Sequence, residues 1–179
     1  MQENLALILK EAIRTIPNFP KPGIQFRDIT TILQNHDVFQ KVVDDLAQQA
    51  RDMNARVIVG IESRGFIFGA PIALKLGLPF VLARKPGKLP YKTKGVEYEL
   101  EYGTDRIEMH IDAVQQGQRV VIVDDLLATG GTAGAAARLV EEFGGIVSGL
   151  LFVVELPALG GRKKLGQYKI YSQVSFEGD

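Results

Sequence analysis

Four short, uninterrupted apolar segments constrain the fold of this chain most strongly. They are "RVIVGI" (56–61), "FVLAR" (80–84), "RVVIVD" (119–124) and "VSGLLFVVEL" (147–156). Continuous apolar runs of this length are typical of strands that are buried on both faces. Helical patterns, "FGAPIALKLG" and "AGAAARLVEEFGG", follow the first and third runs, and such alternation favours a parallel sheet. The sequence therefore predicts an α/β fold with a central parallel sheet flanked by helices.

The rest of the chain predicts two more helices and a strand pair. Residues 4–16 carry leucine and isoleucine at helical spacing and stop before Pro17, and residues 37–53 form an amphipathic pattern with Asp37 as the predicted N-cap. Residues 17–33 contain three prolines and predict an ordered loop or a short strand. Residues 95–112 alternate apolar and polar side chains around Gly103 and Thr104, which predicts a two-stranded excursion from the sheet.

Composition excludes several classes of protein. The 179 residues are enough for one domain, and the 21 basic residues balance the 21 acidic ones, which disfavours non-specific nucleic-acid binding. Cysteine is absent, so disulfides and thiolate nucleophiles are excluded. The N-terminus does not have the pattern of a signal peptide, and no apolar run approaches the roughly 20 residues of a membrane span. We therefore expect a cytoplasmic protein that associates with neither nucleic acid nor membrane.

The segment "VVIVDDLLATGGT" carries the strongest functional pattern. Asp124 and Asp125 follow a buried strand, and the next loop brings Gly130–Thr132 to the start of a helix. The free N–H groups and the dipole of a helix N-terminus favour an anion such as phosphate. Two carboxylates would repel that anion, so they should face ribose hydroxyls or a divalent cation. The pattern predicts a ribose 5-phosphate site; the alternative is that Asp125 caps the loop and the glycines form a tight turn.

This segment resembles the phosphoribosyl-pyrophosphate (PRPP) signature of the type I phosphoribosyltransferases, in the version found in their adenine-specific members. The resemblance continues through "FPKPGIQFRDIT", "GIESRGFIFGAP", "RKPGKLP" and "LEYGTD", in that order. It implies transfer of the 5-phosphoribosyl group from PRPP to adenine, which gives AMP and pyrophosphate in purine salvage. It also implies a homodimer, and Mg²⁺ held through substrate oxygens with no protein metal ligands. One domain would span residues 1–179, with a hood at about 15–35 and a mobile lid at about 88–112.

The resemblance also assigns site residues. The phosphate and ribose of PRPP would be bound by Asp124, Asp125, Leu127, Ala128, Thr129, Gly130, Gly131 and Thr132. Pyrophosphate would be bound by Glu62, Ser63, Arg64, Gly65, Arg84, Lys85 and Lys88, with Arg84 acting in its own or the partner subunit's site. Catalysis would involve Arg64 and two lid residues, Glu101 and Tyr102. Adenine would be bound by Gln25, Phe26 and Arg27. A non-proline cis peptide bond at Glu62–Ser63 is also implied, as relatives have.

Taken alone, several of these features have plainer interpretations. Arg64 could be a surface residue that pairs with Glu62, and the basic run could be a solvated loop. Phe26 could be a core residue, and Glu101 could be part of an exposed edge hairpin.

Two other functions share the sequence pattern. One is the same fold acting on an oxopurine or on orotate, and the other is a PRPP-sensing regulator that binds nucleic acid. The balanced charge disfavours the regulator. The hood has no lysine after Lys21 that could donate to O6 of an oxopurine, which favours adenine. His36 and His110 have no partner at metal-binding spacing and are interpreted as structural.

Overall fold

The computed structural model of the protein describes residues 2–99 and 103–178. Its helices are α1 (Gln2–Ala12), α2 (Thr30–Leu33), α3 (His36–Asp52), α4 (Arg64–Leu76), α5 (Gly131–Glu142) and α6 (Gly161–Lys164), with a 3₁₀ turn at Pro157–Leu159. Its strands are β1 (Arg14–Pro17), β2 (Gln25–Asp28), β3 (Val57–Ile61), β4 (Phe80–Ala83), β5 (Thr93–Glu99), β6 (Thr104–His110), β7 (Arg119–Leu127), β8 (Ile146–Glu155) and β9 (Ile170–Ser175). Among the described residues, no helix is both long enough and apolar enough to cross a membrane.

A five-stranded parallel sheet forms the centre of the protein, in the order β4-β3-β7-β8-β9. The four apolar segments all become strands of this sheet, as predicted, and β3 is buried along its whole length. Strand β9 was not predicted, because its sequence "IYSQVS" is only partly apolar and only partly buried. Since all five strands are parallel, their carboxyl ends share one edge, where ligands bind in folds of this kind.

Helices cover both faces of the sheet and create two cores. Successive strand residues point to opposite faces. Val121 and Val123 of β7 therefore pack in the core that includes α3 and α4, whereas Val120 and Ile122 pack in the core that includes α5. The predicted fold class is confirmed.

Two antiparallel strand pairs lie outside the central sheet. Strands β1 and β2 pair with Ile16 opposite Phe26, and β5 and β6 form the predicted excursion.

The predicted first helix is wrong at its C-terminal end: α1 stops at Ala12, and the next residues form β1. The physical reason is tertiary, because the Arg14 guanidinium binds the buried Asp28 carboxylate at 2.7 Å. Hydrogen bonds from the hydroxyl and backbone N–H of Thr30 and from Arg14 lower the pKa of Asp28 to about 2.

The N-cap of α3 also differs from the prediction. The helix begins at His36, and the side chain of Asn35 accepts a hydrogen bond from the backbone N–H of Val38 at 3.2 Å. Asp37 lies inside the first turn, so the predicted cap was placed two residues too late.

We expect Asn35→Ala to lower the free energy of unfolding by about 1 kcal/mol, because the capping hydrogen bond is lost. Asp37→Asn is the matched control and should lower it by less than about 0.5 kcal/mol, since only a favourable charge near the helix dipole is removed. Urea unfolding of both variants measures these differences. A larger loss at position 37 than at position 35 would contradict this description of the helix start.

Candidate active site

Two strand–helix loops adjoin at the carboxyl edge of the sheet, because β3 and β7 are neighbouring strands. The first leads from β3 into α4, and the second leads from β7 into α5. Gly65 permits their close approach. A Cβ atom at this position would lie 2.6 Å from the carbonyl oxygen of Val123 and 3.2 Å from the Cα of Asp124. Any larger residue would force the start of α4 away from β7.

Both helices present their N-termini to this edge. In the described chain, neither Ser63, the N-cap of α4, nor Gly130, the N-cap of α5, caps its helix through a side chain. Gly130 has a φ of 77°, a left-handed conformation that favours glycine. The first N–H groups of a helix have no partner within the helix and attract anions. We call residues 128–132 the anion loop.

A small cavity of about 90 Å³ lies at the anion loop. Its walls are formed by Asp124, Leu126, Ala128, Thr129, Gly130, Gly131, Thr132 and Ala133. Leu127 is in a different position: its side chain is buried in the core, and its carbonyl accepts a hydrogen bond from the N–H of Leu156 at 2.9 Å. The cavity combines a helix N-terminus, two threonines and one carboxylate, which suits a phosphorylated sugar better than a simple anion.

The two aspartates have different surroundings. Asp125 is buried and accepts a hydrogen bond from Nε of Arg64 at 2.6 Å, so this ion pair links the two loops. Asp124 lines the cavity, and its Oδ1 accepts from the backbone N–H of Asp125 at 2.9 Å. Burial, and then the neighbouring Asp125 carboxylate, raise the pKa of Asp124. A ligand that offers hydroxyl donors or a cation would stabilise the ionised form of Asp124.

Glu62 is paired with Arg84 rather than with Arg64. The guanidinium nitrogens of Arg84 lie 3.1 and 3.2 Å from the Glu62 carboxylate, which also accepts from the backbone N–H of Lys85. Burial acts to raise the pKa of Glu62, but the hydrogen bonds from Arg84 and Lys85 outweigh it and lower that pKa. The pairing of Arg64 with Glu62 in the plainer interpretation is therefore wrong, although Arg64 is exposed as that interpretation expected. The peptide bond between Glu62 and Ser63 is cis, as predicted.

The basic segment 84–88 is tied to the β5–β6 pair. The ammonium group of Lys85 contacts the Asp105 carboxylate, and the hydroxyl of Tyr98 donates to that carboxylate at 3.1 Å. Arg84 and Glu108 exchange two backbone hydrogen bonds, of 2.9 and 2.7 Å. The β5–β6 pair is therefore joined directly to two of the residues predicted to bind pyrophosphate, Arg84 and Lys85.

Comparisons with known proteins agree with this geometry. A family profile described as "Phosphoribosyl transferase domain" matches residues 28–173. The adenine phosphoribosyltransferase of Caldicellulosiruptor bescii is 57% identical over 169 residues, which cover 94% of this chain and 97% of the relative. That of Chlorobaculum tepidum is 55% identical over 175 residues, covering 96% and 99%.

The chain belongs to the adenine phosphoribosyltransferase family.

Solved structures of this family share the fold. The crystal structure of adenine phosphoribosyltransferase from Thermoanaerobacter pseudethanolicus superposes with a TM-score of 0.91 at 53% identity, covering 98% of this chain and all of that one. The Saccharomyces cerevisiae structure has a TM-score of 0.91 at 42% identity, covering 96% of this chain and 99% of that one. That protein was crystallised with D-2,5-dideoxy-2,5-imino-altritol 1,6-bisphosphate and adenine.

The residues assigned by resemblance to this family fall into three places. The anion loop, Asp124, Asp125 and Arg64 lie together at the carboxyl edge, and Glu62 lies with Arg84 and Lys85 beside the lid. Phe26 lies on β2, is half-buried rather than in the core, and meets Phe19 edge-on at 5.2 Å between ring centroids. The two lid residues assigned to catalysis, Glu101 and Tyr102, lie outside the described residues.

Two residues that contact the basic segment were missed in the sequence. Asp105 and Tyr98 both contact Lys85. In the sequence, only the alternation of apolar and polar residues in the lid strands indicated which face these two residues share.

The guanidinium of Arg27 lies 4.3 Å from the centroid of the Phe176 ring and donates to the hydroxyl of Thr15 at 2.7 Å. The side chain of Arg27 therefore has contacts of its own.

We expect Asp124→Asn to be more stable to unfolding than the wild type at about pH 8, and this advantage to shrink towards about pH 4.5. A raised pKa means that the folded protein favours the protonated carboxyl, so stability falls as the pH rises through the folded pKa. The asparagine side chain stays neutral and avoids this loss. Urea unfolding across this pH range measures the difference, with the exposed Asp112→Asn as control. Lower stability of Asp124→Asn at both pH values would contradict the assignment.

Proposed function

We propose that the protein joins adenine to PRPP and releases AMP and pyrophosphate. One observation carries the proposal: a phosphate-sized cavity at a helix N-terminus adjoins a linked arginine and aspartate, in a chain 57% identical to a named adenine phosphoribosyltransferase. In the reaction, the bond between C1 of ribose and a pyrophosphate oxygen breaks, and a bond between C1 and N9 of adenine forms. The proton of N9 must leave the base.

The anion loop would bind the 5-phosphate of PRPP. Its support is the uncapped N-terminus of α5 and the cavity beside it. Asp124 and Asp125 would accept hydrogen bonds from the ribose hydroxyls, since a carboxylate that lies beside a phosphate needs a donor as its partner. Leu127, whose side chain is buried, would contribute only its backbone.

Pyrophosphate would leave towards the loop formed by Glu62, Ser63 and Gly65. Arg64 would bind it in a bidentate manner, and Arg84, Lys85 and Lys88 would offset its charge, because fixed cations stabilise charge that develops in the transition state. We propose that Mg²⁺ binds through oxygens of PRPP, where it would neutralise the leaving group. Among the described residues, no group of three or more His, Cys, Asp or Glu side chains could hold a metal ion.

The hood and the lid would enclose the base. Phe26 would stack on adenine, and the backbones of Gln25 and Arg27 would read its polar edge. Residues 88–112 would close over the site and exclude water from the ribosyl cation, with Glu101 and Tyr102 covering the reacting atoms and Glu101 taking the proton. We also propose that residues 1–179 act as one domain and that the protein is cytoplasmic.

We expect adenine to be preferred over hypoxanthine by at least about a hundredfold in kcat/KM, because a mismatched base edge leaves buried polar groups unpaired. Formation of nucleotide from adenine, hypoxanthine, guanine and orotate, each with PRPP and Mg²⁺, measures this preference. Equal rates on hypoxanthine would leave the phosphoribosyl transfer standing but overturn the base assignment. Absence of nucleotide formation from all four bases would overturn the enzyme assignment.

We propose a homodimer formed through the exposed face of α4. Leu74, with 84% of its surface exposed, and Ile67 lie two turns apart on this helix. An exposed apolar stripe of this kind is typical of an interface. The same helix begins at Arg64, and it packs on β4, the edge strand that leads directly to Arg84. A second copy on this face would lie next to the proposed pyrophosphate site.

We expect Leu74→Glu to convert the dimer to a monomer, because a charge would have to be buried in the interface. Leu7→Glu is the matched control: Leu7 is also an exposed leucine on a helix, with 62% of its surface exposed, but it lies on α1. Sedimentation velocity gives the mass of each variant relative to the 19.7 kDa chain. A wild-type monomer, or a dimer that survives Leu74→Glu, would refute this interface.

A further inference from the structure

The turn that begins α6 packs directly against the back of the anion loop. A Cβ atom on Gly161 would lie 2.3 Å from the carbonyl oxygen of Ala128 and 2.8 Å from Cδ1 of Leu127. From the side of the anion loop, a Cβ atom on Gly130 would lie 3.1 Å from the carbonyl oxygen of Gly161. The two backbones are therefore in contact, with no side chain between them.

One ion pair fixes this turn to the sheet. The guanidinium of Arg162 donates to both oxygens of Glu155, at 2.8 and 2.5 Å, and Glu155 is buried at the end of β8. Arg162 also donates to the carbonyl of Ile170 and the hydroxyl of Ser172 on β9. Bidentate arginine–carboxylate pairs restrict both distance and angle. The position of Gly161 is thus set by two strands.

We infer that Gly161 and the Glu155–Arg162 pair are positioning residues for the 5-phosphate of PRPP. They touch no part of the cavity, but they hold the carbonyl of Ala128 and the left-handed Gly130 in the conformation that directs the first N–H groups of α5 towards the ligand. The inference rests on the proposed role of the anion loop. It adds a determinant of PRPP affinity that lies outside the segment "VDDLLATGGT".

A geometric consequence distinguishes this role from general stabilisation. Of the two site loops, it is the loop after β7 that Gly161 touches, at Leu127, Ala128 and Gly130. The proposed pyrophosphate residues lie on the loop after β3 and the segment 84–88. Damage to the turn should therefore weaken one ligand and spare the other. A merely structural role would weaken both.

The test compares ribose 5-phosphate and Mg²⁺-pyrophosphate binding by isothermal titration calorimetry on the full chain. Gly161→Ala should weaken ribose 5-phosphate binding about ten- to a hundredfold, because displacement of a binding group by about 1 Å has effects of this size. Its pyrophosphate affinity should stay within about twofold of wild type. Gly134→Ala is the matched control, since its Cβ would meet only the flexible Cδ2 of Leu165, at 3.1 Å, and both affinities should be unchanged.

Arg162→Lys provides a second variant if Gly161→Ala does not fold. It keeps the charge but loses the bidentate geometry, and it should weaken ribose 5-phosphate binding by a smaller factor, again with pyrophosphate spared. Unchanged ribose 5-phosphate affinity in the folded variants, or an equal loss for both ligands, would overturn the inference while the proposed function stands. Failure of the wild type to bind ribose 5-phosphate would overturn the anion-loop assignment itself, and this inference with it.

Discussion

The close approach of α4 to β7 at Gly65 is the constraint on which the candidate site depends. It brings the loop after β3 and the loop after β7 together, and the 2.6 Å contact between Arg64 and Asp125 joins them. An anion held by one loop and an anion held by the other can then belong to one molecule. A substrate with a phosphate at one end and a pyrophosphate at the other fits this requirement, and the reacting carbon would lie between them.

The cations of the site lie beside carboxylates. Arg64 contacts Asp125, Arg84 contacts Glu62, and Lys85 contacts Asp105. Such pairing keeps partly buried charges compensated and holds the guanidinium groups in fixed directions. An incoming anion would then meet cations that are already oriented, which reduces the reorganisation needed when charge develops on the leaving group.

The sequence predicted the central sheet well because its strands are buried on both faces, and burial produces uninterrupted apolar runs such as "VIVGI". It also located the anion loop, since strand end, glycine turn and helix start are adjacent in the chain. Predictions failed where distant residues decide. Helix α1 ends early because Arg14 binds Asp28. The alternative interpretation of Arg64 paired it with Glu62, whereas its partner is Asp125, which is 61 residues away. Contact between Gly161 and Ala128 likewise cannot be seen in either segment alone.

In the proposed reaction, the first N–H groups of α5 bind the phosphate of the substrate. Titration of ¹⁵N-labelled protein with ribose 5-phosphate tests it residue by residue. We expect the largest amide shifts at Gly130, Gly131 and Thr132, and no response at Gly77 and Gly117, which form turns elsewhere. Largest shifts outside the anion loop, or saturation of binding without shifts at these three residues, would contradict it.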